Sequence, residues 1–503
     1  MSSFPILSAI WFTPFLAGLL VIALVPGSRI QLIKWISLIA SGASLLLTLM
    51  LCLRFDYGNG GALQFKETHN LIPGLGVDYR LGVDGMSLVM VALNALILFC
   101  GVLASWGAKH RAKEFFVLLL LLGGSVFGVF ESFDLFVFFV FYEIAVLPMY
   151  LLIGIWGTGP KEYSAMKLTL MLMGGSAFIL VGMLALYFAA APHLGGHGTF
   201  DIFRIASVSH LLDPSFQKIW YPIMFLGFGA LGALWPLHTW SPDGHASAPT
   251  AVSMLHAGVL MKLGAYGCLR VAIFLLPAGA HYWSDALAVL CLVNVVYGSI
   301  GAAAQTDLKY VTAYSSVSHM GLVMLGLATL GGMGLNGAVL QMFAHGIMTG
   351  TFFALIGMTY SRTHTRIMSQ MGGLAKVLPF LGAAYVIAGM AGLGLPGLAS
   401  FPAELLVFQG AWFSSDPFMK WVAVISITSI VFTAIYVLRV IQKTFYGPVT
   451  DKHFEDLTDA SFVEKIPLVI LILVMLVVGR YPFPVLDTIN SSVKVILTQL
   501  AGQ

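Results

Sequence analysis

Three ionisable side chains stand alone in stretches otherwise fit for lipid. Glu143 is the only group titrating near neutral pH between Leu135 and Trp156. Lys262 is the only formal charge between Ala246 and Leu269, and Glu404 the only one between Val377 and Ser415. Inserting each costs roughly 2.5–3.5 kcal/mol on the translocon scale, and more where neither water nor a partner reaches it. A single buried Glu–Lys pair can serve as glue between helices. Three charges, each alone in its helix, fit a path for protons or ions better. Lysine suits that work, because an apolar site disfavours its ammonium and a nearby carboxylate restores it. Moving the carboxylate, or its charge, then loads or unloads a proton.

Four of the thirteen histidines, His238, His256, His319 and His345, fall in or beside the central apolar runs. One membrane histidine is as often a packing residue as a proton carrier; four near the same runs point to a relay. His256 precedes Lys262 by six residues, about 9 Å along a helix axis and on another face. No H-E-x-x-H or other metal spacing is present, so a metal site is not expected. Two apolar runs are interrupted, one by "WPLHTWSPDGHASAPT" (235–250) with Pro236, Pro242 and Pro249, the other by "LGLPGLASFPAELL" (393–406) with Pro396 and Pro402. Proline frees backbone carbonyls, which membrane depth tolerates only beside protein or a wet cavity. Paired broken helices in the two halves of a transporter mark an ion route.

The elements that hold these residues must be membrane helices. Hydrophobic residues make up 59% of the 503 and charged residues 9%, against roughly 25% charged in soluble domains, so lipid is the solvent. Runs of spanning length lie near 4–25, 31–53, 83–106, 115–131, 134–156, 166–191, 220–240, 251–276, 285–305, 311–330, 336–359, 377–413, 421–443 and 466–478. They predict an all-α polytopic protein of about fourteen transmembrane helices, with Glu131 and Asp134 dividing the fourth from the fifth. Alternating strand patterns are absent. Counted over alternate loops, one side carries fifteen Lys and Arg residues and the other nine, Arg270 among the nine, with Lys262 left unassigned. The richer side is predicted to be cytoplasmic, with both termini outside. No Lys or Arg precedes Arg29, so the first span reads as retained rather than as a cleaved signal. Residues 484–500 pattern as an amphipathic helix on the outer surface, against lipid or a neighbouring subunit. A net charge of +3, scattered, gives no footprint for nucleic acid. The cysteines (Cys52, Cys100, Cys268, Cys291) form no C-x-x-C pair, and no Gly-rich nucleotide loop follows a strand signal.

Several segments together resemble the antiporter-like, subunit M-type membrane subunits of bacterial NADH–quinone oxidoreductase (respiratory complex I), which are related to Mrp-type cation/proton antiporter subunits. They are "YRLGVDGMSL" (79–88), "FYEIAVLPMYLLIGIWG" (141–157), "PLHTWSPDGHASAPTA" (236–251), "AGVLMKLGAYGCLR" (257–270), "AQTDLKYVTAYSSVSHMGLV" (304–323), "QMFAHGI" (341–347) and "HTRIMSQMGGL" (364–374). The resemblance covers nearly the whole chain. It implies one integral membrane domain over 1–503: N-terminal spans in 1–114, a first antiporter-like repeat in 115–276, a second, inverted repeat in 285–443, and the last span with the amphipathic helix in 444–503. Each five-helix repeat is expected to contain a broken helix. The resemblance further implies that Glu143, Lys262 and Glu404 are the fifth-, eighth- and twelfth-span proton-carrying residues, and that His319 and His345 link two half-channels. It places NADH, FMN, iron–sulfur clusters and quinone in partner subunits and no cofactor in this one. It also implies antiporter-like neighbours on both sides and a place in the bacterial inner membrane, both termini periplasmic.

One departure stands out. The family usually has a lysine seven residues before the histidine of P-x-H-x-W, as partner to the fifth-span glutamate; here that position is Leu231. Glu143 is therefore expected to lack its usual cation, and His256 becomes a candidate substitute. The resulting reading is a proton-translocating subunit of a complex I-type enzyme. Its rivals are a subunit of a standalone multisubunit cation/proton antiporter and a structural relative that bridges its neighbours without pumping.

Overall fold

The computed structural model describes residues 4–502, which form an all-α membrane bundle carrying one small β-hairpin. Twelve helices are long and apolar enough to cross a bilayer unaided. Two further crossings are broken in the middle, which makes fourteen. The seventh runs as Pro214–Leu231 and resumes as Trp240–Ser247; the twelfth runs as Pro379–Gly392 and resumes as Ser400–Trp412. The crossings that carry the candidate residues are the fifth (Leu135–Trp156), the eighth (Thr250–Ile273), the tenth (Leu308–Ala328), the eleventh (Gly332–Thr363) and the second half of the twelfth.

Carboxylates recur where helices begin. Asp84, Asp134, Asp307 and Asp416 each accept hydrogen bonds from backbone amides of the first turn that follows, at 2.8–3.1 Å. Each satisfies amides that a helix start leaves unpaired and sits at the positive end of the dipole. The breaks use proline in another way. Pro242 and Pro402 lie in the first turns of the resumed halves, where no intrahelical amide bond is lost. In the twelfth crossing the gap itself is turned by Gly394 and Gly397, at φ +72° and +94°, which only glycine adopts without strain.

Backbone groups freed at the seventh break find partners within the protein. The Trp240 indole donates to the Ala230 carbonyl at 2.8 Å. Asn294, from the ninth helix (Pro277–Ala304), accepts from the Trp235 amide at 2.7 Å and donates to the Ala233 carbonyl at 3.1 Å. The C-terminal end of the resumed half is held by two cations: Arg366 donates to the Ala246 carbonyl at 2.7 Å, and Lys309 to that of Ala248. Positive groups at a helix C-terminus match its dipole.

The structure corrects the sequence reading in three places. Gln64–Ile72 and Val77–Val83 pair as an antiparallel hairpin between the second and third crossings, although no strand pattern is visible in them. The first strand is almost wholly outside the core, so no buried face imposes alternation on it. Arg270 is no loop residue: it lies inside the eighth helix, buried, and is paired at 2.5 Å with buried Asp84. The C-terminal helix, Phe483–Ala501, is amphipathic as its pattern implies, but its apolar face packs on this chain itself. Ile489, Val493, Ile496 and Leu500 are buried, the Met86 amide donates to Ser492 Oγ at 3.1 Å, and Gly85 lies directly against the backbone of Thr488.

Candidate functional site

Lys262 sits near the middle of the eighth helix, fully buried. Just before it the helix widens into a π-type turn over His256–Leu260. Such turns are rare and are frequently found at functional sites. The Lys262 ammonium donates back to the Ala257 carbonyl inside that turn and meets His345 Nδ1 of the eleventh helix at 2.7 Å. The imidazole of His345 lies 5.3 Å, centroid to centroid, from that of His319 on the tenth helix. His319 Nδ1 is in turn 3.3 Å from Glu404 Oε1 on the resumed half of the twelfth. Gln341, one turn before His345, faces both, its Nε2 3.4 Å from His319 Nδ1 and 3.4 Å from Glu404 Oε1. Gly394 at the twelfth break leaves room for the carboxylate, for a Cβ there would come within 2.7 Å of Glu404 Oε2.

The result is one buried row, Lys262–His345–His319–Glu404, drawn from four helices of both predicted repeats. Groups of these types, set side by side, are capable of passing protons between neighbouring polar atoms. An imidazole can take a proton at one ring nitrogen and lose one from the other. His345 faces the ammonium with Nδ1 and His319 faces the carboxylate with Nδ1, while the Nε2 atoms of both have no hydrogen-bond partner within the described protein.

The other candidates stand apart from this row. His256 is buried and stacks on His245 at 4.2 Å and on Trp240 at 4.9 Å, both from the resumed half of the seventh crossing. Neither of its ring nitrogens is hydrogen-bonded, whereas His245 Nδ1 lies 2.6 Å from the Ser241 carbonyl. Gly244 permits the approach, since a Cβ there would lie 3.3 Å from the His256 ring. Leu231 stands at the position where the sequence resemblance implied a lysine. It shares a small cavity with Tyr142, Leu260 and His256, of about 10 Å³, near the lower limit for a single water. Glu143 lies one position round the fifth helix from Tyr142, half-buried beside Ser176 of the sixth helix (Lys161–Ala190). Among the described residues no ion pair includes Glu143. His238 packs edge-on against Tyr297 at 5.1 Å, beside the Lys167–Asp243 ion pair of 2.8 Å.

Sequence reasoning missed Gln341 and His245 as members of these clusters. Gln341 carries no charge to draw attention in an apolar run, although its spacing of four from His345 puts both on one helix face. His245 could have been found from its position inside the interrupted segment.

The sequence pattern described as "NADH:quinone oxidoreductase/Mrp antiporter, TM" matches residues 132–433. A chain 4 of NAD(P)H-quinone oxidoreductase from Microcystis aeruginosa is 38% identical over 451 residues, covering 89% of this chain and 80% of its own length. Another, from a Synechococcus species, is 37% identical and spans 99% of this chain and 94% of its own. A chain of respiratory complex I from Thermus thermophilus superposes with a TM-score of 0.88 at 29% identity, covering 98% of this chain and 99% of that one. One from the Mrp complex of a Dietzia species shares the fold, with a TM-score of 0.85 at 19% identity over 99% and 100% of the two chains. The chain therefore belongs to the NADH:quinone oxidoreductase/Mrp antiporter family, as an antiporter-like membrane subunit of the complex I chain 4 type.

Proposed function

We propose that this chain is a proton-translocating membrane subunit of a complex I-type NADH:quinone oxidoreductase, in which Lys262, His345, His319 and Glu404 carry the proton. The observation behind this reading is the buried row itself, in which two imidazoles 5.3 Å apart, centroid to centroid, stand between Lys262 and Glu404. In the resting arrangement Lys262 holds the proton, its ammonium donating to His345 and to the Ala257 carbonyl. Transfer to His345 Nδ1 leaves a neutral amine and an imidazolium. That imidazolium gives up its Nε2 proton toward His319, which passes one from Nδ1 to Glu404. A charge change arriving from a neighbouring subunit would shift the balance between Lys262 and Glu404, because each is worth several kcal/mol more when its counter-charge is near in a low dielectric.

The oxidation of NADH and the reduction of quinone belong, in this reading, to partner subunits, together with FMN and the iron–sulfur clusters. The four cysteines support that division, since they stand singly on separate segments. Antiporter-like neighbours would flank the subunit on both sides in a bacterial inner membrane, with the lysine- and arginine-rich loops cytoplasmic and both termini periplasmic. Identities of 35–38% to chain 4 subunits favour this assembly over a standalone antiporter.

The test is Lys262→Ala in the assembled complex. Assembly should survive, because removing a buried cation also removes its desolvation cost. Proton pumping should be lost and coupled turnover should fall with it. Wild-type proton stoichiometry in an assembled Lys262→Ala complex would overturn the proposal.

A further inference from the structure

The loop that follows the third crossing, Gly85–Ala104, lines a cavity of about 390 Å³. Its other walls include Trp156 at the end of the fifth crossing, Thr250 at the start of the eighth, Ser361 of the eleventh and Glu464 of the fourteenth, Phe462–Arg480. Lys109 and His110 of the loop line the cavity directly, and Arg111 stands 5.8 Å over the Trp156 ring. Two hydrogen bonds to backbone carbonyls fix the loop. The Trp156 indole donates to His110 at 2.8 Å, and the Lys34 ammonium of the second crossing, Ile30–Arg54, donates to Trp106 at 2.5 Å. Trp35 packs edge-on against Trp106 at 5.3 Å. Tryptophans gathered at the ends of membrane helices mark the headgroup level of a bilayer.

The carboxylates near the cavity are already paired. Glu464 meets Arg362 at 2.8 Å, and Glu114 meets Arg111 at 3.3 Å. Among the described residues no ion pair includes Lys34 or Lys109. The loop therefore presents positive charge that no anion of this chain matches. An apolar track leads from the cavity into the membrane. Leu103 lines the cavity, and Phe99, Leu96 and Ala92 follow on the same face of the third helix, all three partly exposed. The stripe is about 16 Å long. Neighbours flank it on either side. A Cβ on Gly42 of the second crossing would lie 3.6 Å from the Phe99 ring, and Cys100 Sγ is 3.8 Å from the Pro467 carbonyl of the fourteenth.

We infer that this cavity seats an anionic phospholipid, its phosphodiester at Lys109 and His110 and one acyl chain along Phe99, Leu96 and Ala92. Basic pockets between membrane helices on the cytoplasmic side bind such headgroups, and this loop belongs to the side richer in Lys and Arg. A free anion would use the cations and leave the stripe bare. An acidic segment of a partner subunit would do the same. A lipid of negative charge matches both features at the depth that the tryptophans mark. The inference is independent of the reading of this chain as a proton carrier.

The experiment places the assembled complex in phosphatidylcholine nanodiscs with a subsaturating amount of phosphatidylglycerol that carries a diazirine in one acyl chain. After illumination, labelled peptides are mapped by mass spectrometry. Label is expected on the third crossing between Ala92 and Leu103. Lys109→Gln should lower it about fivefold, which corresponds to about 1 kcal/mol for one basic residue near an anionic lipid surface. Ala104→Phe fills the cavity and leaves every charge in place, so it should remove most of the label. Equal labelling by a phosphatidylcholine with the same diazirine, or undiminished label in Lys109→Gln, would show an unselective lipid contact and overturn the inference. Displacement of the label by millimolar inorganic phosphate would overturn it in favour of a free-anion site. Absence of label from this stretch in wild type would overturn it too, and would mean that a partner subunit covers the loop.

Discussion

At the residue scale the site turns on two charges that water would hold cheaply and lipid does not. Lys262 and Glu404 are visible in the sequence, because a lone charge in an apolar run has few uses that justify its cost. Their connection is not visible, for Lys262 meets a histidine 83 positions later and Glu404 a histidine 85 positions earlier. Glu404→Gln keeps the shape and the contact with Gln341 but cannot release a proton. It should assemble normally and turn over slowly, whereas a purely structural Glu404 would tolerate Gln and lose assembly with Ala. Native gel analysis combined with proton-pumping assays on both variants separates the two outcomes. Glu143 behaves differently from Glu404. It is half-buried beside Ser176 rather than in the row, and Leu231 supplies no cation near it. The stacked His245–His256 pair stands between the seventh break and the eighth helix instead.

At the element scale the fold places its irregularities where polar groups have to meet. The π-type turn at His256–Leu260 turns the Ala257 carbonyl toward the Lys262 side chain, and the twelfth break opens a space at Gly394 that the Glu404 carboxylate uses. Prolines made both breaks legible in the sequence. The π-type turn was not legible, since Ala, Gly, Val and Leu there are compatible with an ordinary helix and only packing selects the wider one. The hairpin escaped for a similar reason: its outer strand has no buried face to betray its period. The C-terminal helix owes its place to small residues, Gly85 above all. A methyl group at that position meets the Thr488 carbonyl, so Gly85→Ala should push the helix off the third crossing at a cost of about 1–3 kcal/mol, as for other overpacked contacts. Faster proteolysis within 481–501 and a lower melting temperature are expected; an unchanged digestion pattern would mean that the helix is held elsewhere.

At the scale of the whole molecule, the proposed relay requires the row to work as a unit, since it passes through the eighth, eleventh, tenth and twelfth helices in turn. Groups that act in series lose function together rather than additively. His319→Ala and His345→Ala should each remove most pumping, and the double variant should remove little more. Additive losses in proton stoichiometry would instead indicate parallel routes. How much of this could be read without a structure follows from the range of the forces involved. Hydrophobic run length, proline interruptions and lone charges are local, so the sequence alone determined fourteen crossings, two broken helices and the identity of the costly residues. Which of those residues touch depends on the angle each helix presents to its neighbours, and that is settled by side-chain packing between segments far apart in the chain. Only the tertiary structure decided that Lys262, His345, His319 and Glu404 form one row with Gln341, and that His256 pairs with His245.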